Sequence, residues 1–271
     1  MRNIDLSIII VSYNTKDLLK DCLESIFKNS QSLKTEIIVV DNDSGDGSAE
    51  YLKKLKRKEV KTIFNQDNLG FSKANNQGIK KARGEFIFLL NSDTQIKKGS
   101  LQKLVAFAKE KKDLGVVGPC LLNKDGSVQA SCFNLPTINS AIKQFWLGQK
   151  GAFEKYAVKE KREVEAEAVV GAAFLIPREV IRKVGLLDER YFFYFEDMDY
   201  CRRVRKRGLR VYYLPQAKII HLHGSSAQKK GKVVNQWLVK SSKIYHGYLR
   251  YYLITFILWS GQKWRKLRNC C

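Results

Sequence analysis

Short apolar runs rich in β-branched residues alternate with helix-like segments through the first 120 residues, and this alternation restricts the fold more than any other feature. Leu6–Ser12 is apolar almost throughout, as befits a strand buried on both faces. Leu18, Leu19, Cys22, Leu23, Ile26 and Phe27 then recur at helical spacing. Further strands are predicted over 36–41, 60–64, 85–90 and 115–117, with a basic helix after the second and helices over 71–83 and 101–108. Strand and helix in such regular exchange predict an α/β fold with a mostly parallel, doubly wound sheet.

In an open sheet of this kind ligands bind outside the carboxyl ends of the strands. Polar residues collect at three of those ends: Tyr13-Asn14 after Ser12, then Asp41-Asn42-Asp43, then Asn91-Ser92-Asp93. Two familiar nucleotide sites are absent from the sequence. The first strand is followed by Tyr13-Asn14-Thr15-Lys16 rather than GxGxxG, and no GKS or GKT occurs. Asp41 admits two readings, a turn that caps the next helix or a hydrogen-bond partner for a base or ribose. Asp93 is either another turn residue or an oxygen donor to a hard divalent cation bridging a diphosphate.

From 121 to 166 the pattern loosens into an insertion or lid, and order returns with Ala168 to Pro177. Five consecutive aromatics, Tyr191 to Phe195, then run into Glu196-Asp197-Met198-Asp199, which opens a helix reaching Arg207. Acids in a first helical turn favour the helix dipole. Carboxylates against an aromatic wall are also how a general base acquires raised proton affinity, and that reading is preferred here. His221-Leu222-His223 follows a short apolar segment in a chain with 3 histidines, and is either a structural pair or a source of one metal ligand.

Together these blocks resemble the family 2 glycosyltransferases, of GT-A fold. The likeness rests on residues 7–14, Val39-Val40-Asp41-Asn42-Asp43-Ser44, Asn68-Leu69-Gly70-Phe71, Asn75-Asn76-Gln77-Gly78 and Leu89-Leu90-Asn91-Ser92-Asp93. It continues through Gly171-Ala172-Ala173-Phe174, Phe195-Glu196-Asp197-Met198-Asp199, Arg203 and His221. The Asn91-Ser92-Asp93 and 195–199 variants look most like the rhamnosyltransferase-like branch. The resemblance implies a transferase domain over 1–228 and an inverting transfer with Asp197 as catalytic base and Glu196 as fallback. It implies that Ser12, Tyr13, Asn14, Asp41, Asn42, Gly70, Phe71, Asn75, Asn91, Ser92, Asp93, Gly171 and Arg203 bind the nucleotide sugar or organise its site. Asp93 and His221 would hold Mg²⁺ or Mn²⁺. Asn91 stands where the family's DxD motif has its first acid, which shifts metal coordination toward diphosphate and water. The implied donor is dTDP-rhamnose first and a UDP-hexose second. The implied acceptor is a saccharide or lipid-linked saccharide, in the synthesis of a cell-surface polysaccharide.

Net charge adds a location. The formal charge is +22, yet no Asp or Glu follows Asp199, so residues 200–271 carry 17 Lys or Arg unopposed. Within 229–271, Trp237, Tyr245, Tyr248, Tyr251, Tyr252, Phe256, Trp259 and Trp264 interleave with these cations. The run from Tyr251 to Trp259 spans about 14 Å as a helix, short of the ~30 Å hydrocarbon core. The appendage is expected to be helical and either to lie on an anionic membrane or to pack on the sheet. A nucleic-acid-binding protein would explain this tail but not acids at three strand ends, and a noncatalytic glycan- or lipid-binding module would have no use for Asp93, Asp197 and His221. Asp5 precedes the first apolar run and no small-residue cleavage site follows it, which argues against a signal peptide. The expectation is therefore a cytoplasmic protein, peripheral on the cytoplasmic face of a membrane. Cys22, Cys120, Cys132, Cys201, Cys270 and Cys271 show neither CxxC nor CxxH spacing, so neither a zinc site nor a dense disulfide framework is expected.

Overall fold

In the computed structural model, which describes residues 4–222 and 231–268, the strand and helix alternation forms one nine-stranded sheet. Strands β1 (Leu6–Ser12), β2 (Thr35–Asn42), β3 (Val60–Asn65) and β4 (Phe86–Asn91) pair in parallel in the order β3-β2-β1-β4. Helices α1 (Lys16–Asn29), α2 (Ser48–Lys54) and α3 (Phe71–Lys81) connect them. The apolar runs are continuous because both sheet faces are covered. Ile8, Ile10, Val39 and Phe88 join the core on one face, and Ile9, Ile38, Ile87 and Leu89 join the core on the other. Each such side chain contributes roughly 1.5–3 kcal/mol by leaving water.

Beyond β4 the sheet is mixed rather than parallel. After β5 (Thr94–Ile96) and α4 (Ser100–Glu110) comes β6 (Leu114–Leu122), nine residues long where three were expected. Residues 121–166, expected to be loosely patterned, also hold β7 (Cys132–Phe133), α5 (Ile138–Phe145) and β8 (Val164–Ala166). β9 (Ala168–Val169) pairs with β7, and β10 (Ala173–Pro177) inserts antiparallel between β4 and β6. Helices α6 (Arg178–Val184) and α7 (Glu196–Lys206) lead to β11 (Arg210–His221), which pairs with β6, β8 and β5.

The appendage forms α8 (Gly231–His246) and α9 (Tyr248–Arg268). α8 is fixed to the main body: Tyr245 joins the second core, and the Ser241 hydroxyl donates to the Phe193 carbonyl at 2.8 Å. α9 packs on α5 through Ala141, Ile254 and Ile257, and so rests on the inserted segment rather than on the sheet. The expected boundary at 228/229, His223, and Cys270 with Cys271 lie outside the described residues. The four described cysteines are buried and unbridged.

Candidate active site

Strand register brings the polar strand ends to one level. Ser12 pairs with Asp41, Val11 with Asn91, and Asn42 with Asn65. Because β10 runs antiparallel to β4, its entry at Gly171–Ala173 reaches the same edge, where the Asn91 N–H donates to the Ala172 carbonyl at 2.9 Å. His221 arrives there from the end of β11, paired with Thr94. These ends surround a cleft of about 440 Å³. Its walls include Tyr13, Asn42, Gly70, Phe71, Asn91, Ser92, Asp93, Gly171, Glu196, Asp197 and His221.

The aromatic loop forms one wall and is pinned by backbone contacts. The Phe71 N–H, at the start of α3, donates to the Phe192 carbonyl at 2.7 Å. Gly70 has φ +83°, and a Cβ there would stand 2.6 Å from the Phe192 ring. A side chain at this position therefore meets both a forbidden dihedral and the loop itself. Gly70→Ala is expected to destabilise the fold by about 2–4 kcal/mol, measured by urea unfolding, and to weaken donor binding. Tyr194 and Phe195 follow at φ 70° and 68°, two successive left-handed residues that turn Glu196 and Asp197 into the cleft. Strain of this kind, of order 1–3 kcal/mol per residue, persists only where the surroundings enforce it.

Asp197 is held by two backbone donors. Gly171 N–H reaches Oδ2 at 2.9 Å and Met198 N–H reaches Oδ1 at 2.8 Å. Burial raises its proton affinity, while these donors and Lys155 pull it back down. Glu196 has less support: burial and then the Asp197 charge push its carboxyl well above the usual range, only its own backbone N–H opposes them, and Oε2 has no hydrogen-bond partner. Two carboxyls in one pocket thus have unequal donors, with more of them on Asp197.

Across the cleft, Asp93 Oδ1 lies 3.4 Å from His221 Nε2. Gln129 fixes the imidazole: its Nε2 donates to the His221 carbonyl at 2.7 Å, which turns its Oε1 toward Nδ1 at 3.0 Å. With the Gln129 oxygen at Nδ1, that nitrogen carries a proton, and Nε2 faces the Asp93 carboxylate. An imidazole nitrogen and a carboxylate oxygen aimed at one point are the atoms that a divalent cation would share. The pair offers one oxygen and one nitrogen donor, and among the described residues no group of three or more His, Cys, Asp or Glu is placed to hold a metal. That is a fitting donor set for Mg²⁺ or Mn²⁺, whose other positions go to phosphate oxygens and water.

Several sequence-predicted residues stand behind the cleft. Ser12 and Thr15 hydroxyls are 3.1 Å apart and Thr15 is 2.9 Å from Ser92, a chain that fixes the Ser92 wall. Asn14, at φ 54°, accepts the Gly45 N–H and so locks the β1 turn to the β2 turn. Asp41 accepts the Ser44 N–H through Oδ2, while Oδ1 is buried without a partner. Asn75 donates to the Phe71 carbonyl within its own helix. Arg203 is placed differently from the expectation that it binds the donor. Its guanidinium is occupied by Asp199 at 2.8 Å and by the carbonyls of Val184 and Leu186, so it braces α7 against α6.

Sequence reasoning did not single out Lys155, Phe133 and Leu238, all of which line the cleft, and it read Trp237 only as part of the aromatic tail. Nor did it foresee the amide ladder in which Asn42 donates to Asn68 and accepts from Asn65 and Leu69. Asn65 was a polar residue in a strand, which is the signal that could have found it.

A parallel half-sheet with polar strand ends, extended by the antiparallel strand β10 that enters at the same edge, is the architecture of the GT-A class of glycosyltransferase. The chain belongs to that class's family 2: residues 7–185 match the model described as "Glycosyl transferase family 2". It is 28% identical over 240 residues to an N-acetylglucosaminyl-diphospho-decaprenol L-rhamnosyltransferase of Mycobacterium tuberculosis, covering 80% of this chain and 75% of that one. It is 26% identical to the low-salt glycan biosynthesis hexosyltransferase Agl10 of Haloferax volcanii, covering 80% and 67%. The dTDP-rhamnosyl transferase RfbF of Shigella flexneri is 24% identical, with 84% and 72% covered. Among solved structures, GalNAc-T7 with UDP, GalNAc and Mn²⁺ superposes with a TM-score of 0.64 at 18% identity, and S. aureus TarS with 0.61 at 17%. These cover 82% and 90% of this chain but only 44% and 39% of theirs, so the chain spans less than half of either.

Proposed function

We propose that the chain transfers a sugar with inversion from a nucleoside-diphosphate donor to a saccharide or lipid-linked saccharide, at the cytoplasmic face of a membrane. The observation that carries this reading is the Asp197 carboxyl, held by two N–H donors and facing into the cleft that Asp93 and His221 also line. Asp197 removes the proton from an acceptor hydroxyl as that oxygen attacks the anomeric carbon. The bond to the diphosphate breaks on the opposite side, so one displacement inverts the centre. Tyr13, Asn91 and Ser92 line the cleft and would meet the donor, with Asp41 Oδ1 buried without a partner behind them. Lys155, which lines the cleft and pulls the Asp197 proton affinity down, adds positive charge to it. Asp93 and His221 would hold Mg²⁺ or Mn²⁺, which supplies charge to stabilise the leaving diphosphate.

The rhamnosyltransferase names of two relatives support dTDP-rhamnose as first donor, ahead of a UDP-hexose. A panel of nucleotide sugars with Mg²⁺ or Mn²⁺ tests this. dTDP-rhamnose is expected to show kcat/KM at least about tenfold above any UDP-hexose, a difference of about 1.4 kcal/mol in transition-state binding. A reversed preference overturns the donor, and no turnover of any nucleotide sugar overturns the transferase reading.

A further inference from the structure

Helix α9 is apolar on two opposite sides. Ile254 and Ile257 face α5, buried against Ala141. The other side carries Leu249, Tyr252, Leu253, Phe256 and Trp259, spaced as one helical stripe. Leu249 is 84% exposed, Phe256 61% and Trp259 53%. An exposed apolar stripe of this length marks a surface that takes a cover, and none of the described residues supplies one. The surface continues onto α5. Trp264 stacks on Trp146 with centroids 6.2 Å apart, Arg265 donates to the Gln144 carbonyl, and Leu147 beside them is 73% exposed.

Charge decides what the cover is. Helices α5, α8 and α9 contain no Asp or Glu, while Lys143, Lys240, Lys243, Arg250, Lys263 and Arg265 surround the apolar surface. Lys263 Nζ lies 4.2 Å from the Trp259 ring centroid, and Lys243 Nζ lies over Tyr252 at 5.4 Å. A second copy of the same face would oppose cation to cation with no acid between them. Aromatics at the level of ammonium and guanidinium groups match the headgroup region of an anionic bilayer. No helix among the described residues is long and apolar enough to cross a membrane, and α9 is held sideways by α5.

We propose that α5 and α9 form one membrane-docking face that seats the Leu249–Phe256–Trp259 stripe in the headgroup region of an anionic lipid bilayer. The face is linked to the cleft through α8, which contributes Trp237 and Leu238 to the cleft wall and is separated from α9 by Gly247 alone. The face itself rests on the helices alone and holds whatever sugar the cleft takes.

The test is co-sedimentation of the full chain with vesicles of phosphatidylcholine, with and without 30% phosphatidylglycerol (about, as a working composition for an anionic surface). Binding is expected with the anionic vesicles and weakened by 1 M NaCl, where the Debye length falls to about 3 Å. The variant Leu249→Ser/Phe256→Ser/Trp259→Ser is expected to lose at least about tenfold in lipid affinity. Its turnover with a soluble acceptor should stay unchanged. Acyl-chain-brominated lipid should quench tryptophan fluorescence of the unaltered chain, a readout independent of any variant. Failure to bind anionic vesicles, equal binding by the triple variant, or absence of quenching each overturns the proposal. So does a dimer at micromolar concentration that the triple variant dissociates, which would assign the face to a second copy. A chain that docks but turns over no nucleotide sugar leaves the docking face standing and removes the transferase reading.

Discussion

Asp197→Asn is expected to lower kcat by roughly 10³-fold or more while the donor dissociation constant stays within about threefold. The asymmetry follows from what the carboxylate touches. Its oxygens accept the N–H groups of Gly171 and Met198, and an asparagine oxygen can keep one of these bonds while losing the basic site. Tyr13, Asn91 and Ser92, the groups proposed to meet the donor, belong to other elements and are undisturbed. Glu196→Gln is the control that separates the two acids. Burial and the Asp197 charge raise the proton affinity of Glu196, so replacing it with a neutral amide should cost less than about tenfold. Equal losses in both variants would move the base to Glu196, and near-normal kcat in Asp197→Asn would remove it from Asp197. The pH profile carries the same sign. Burial raises the Asp197 proton affinity above that of an ordinary aspartate, and the base works only when deprotonated. Activity should therefore fall on acidification through that raised value. The acid limb of kcat/KM should lie above the range of an ordinary aspartate and persist in Glu196→Gln.

The parallel half of the sheet was legible because its strands are buried on both faces, and such strands announce themselves as unbroken apolar runs. Polar residues at 13, 41–43, 91–93 and 196–197 stood out for the same reason, being the first that such runs could not absorb. β6 was read at a third of its length because Gly118 and Pro119 interrupt it. The interruption is a packing requirement: a Cβ on Gly118 would lie 2.9 Å from the Val169 side chain. The antiparallel direction of β10 is set by its pairing with β4 and β6, which no local pattern encodes.

Arg203 shows how the helix after the aromatic run is held. Buried Asp199 and two α6-side carbonyls occupy its guanidinium, which suits the reading that it organises the site more than direct contact with a donor. Lys155 and Phe133 come from the insertion and reach the cleft only through the β7–β9 pair and the loop after α5, so nothing near them in sequence marked them. The charge and aromatic content of the C-terminal helices were legible, but the partner of α9 is α5, in the segment whose pattern was weakest.

Chelation should have the other large effect, and it bears on the weakest part of the donor set. The chain brings Asp93 and His221 to the cleft, and Asn91 stands where a second acid would add charge. With two protein donors, most of the coordination must come from the diphosphate, so Mn²⁺ should bind weakly to the free protein and at least about tenfold more tightly once a nucleoside diphosphate is present. Electron paramagnetic resonance of Mn²⁺ measures this directly, without turnover. Asp93→Ala should abolish that enhancement, and His221→Ala should lower the Mn²⁺ affinity of the nucleotide-loaded protein by roughly 10-fold or more, the scale on which even outer partners of metal ligands act. EDTA should lower turnover by at least about 10²-fold, with activity restored by Mg²⁺ or Mn²⁺. Gln129→Ala extends the argument to the imidazole: without its amide, Nδ1 loses the acceptor that fixes the tautomer, and Mn²⁺ affinity should fall while the fold holds. Mn²⁺ binding that ignores both the nucleotide and Asp93, or turnover that survives EDTA, would mean that the cleft relies on Lys155 and its backbone donors instead. In that case Lys155→Ala, rather than Asp93→Ala, would carry the loss in kcat.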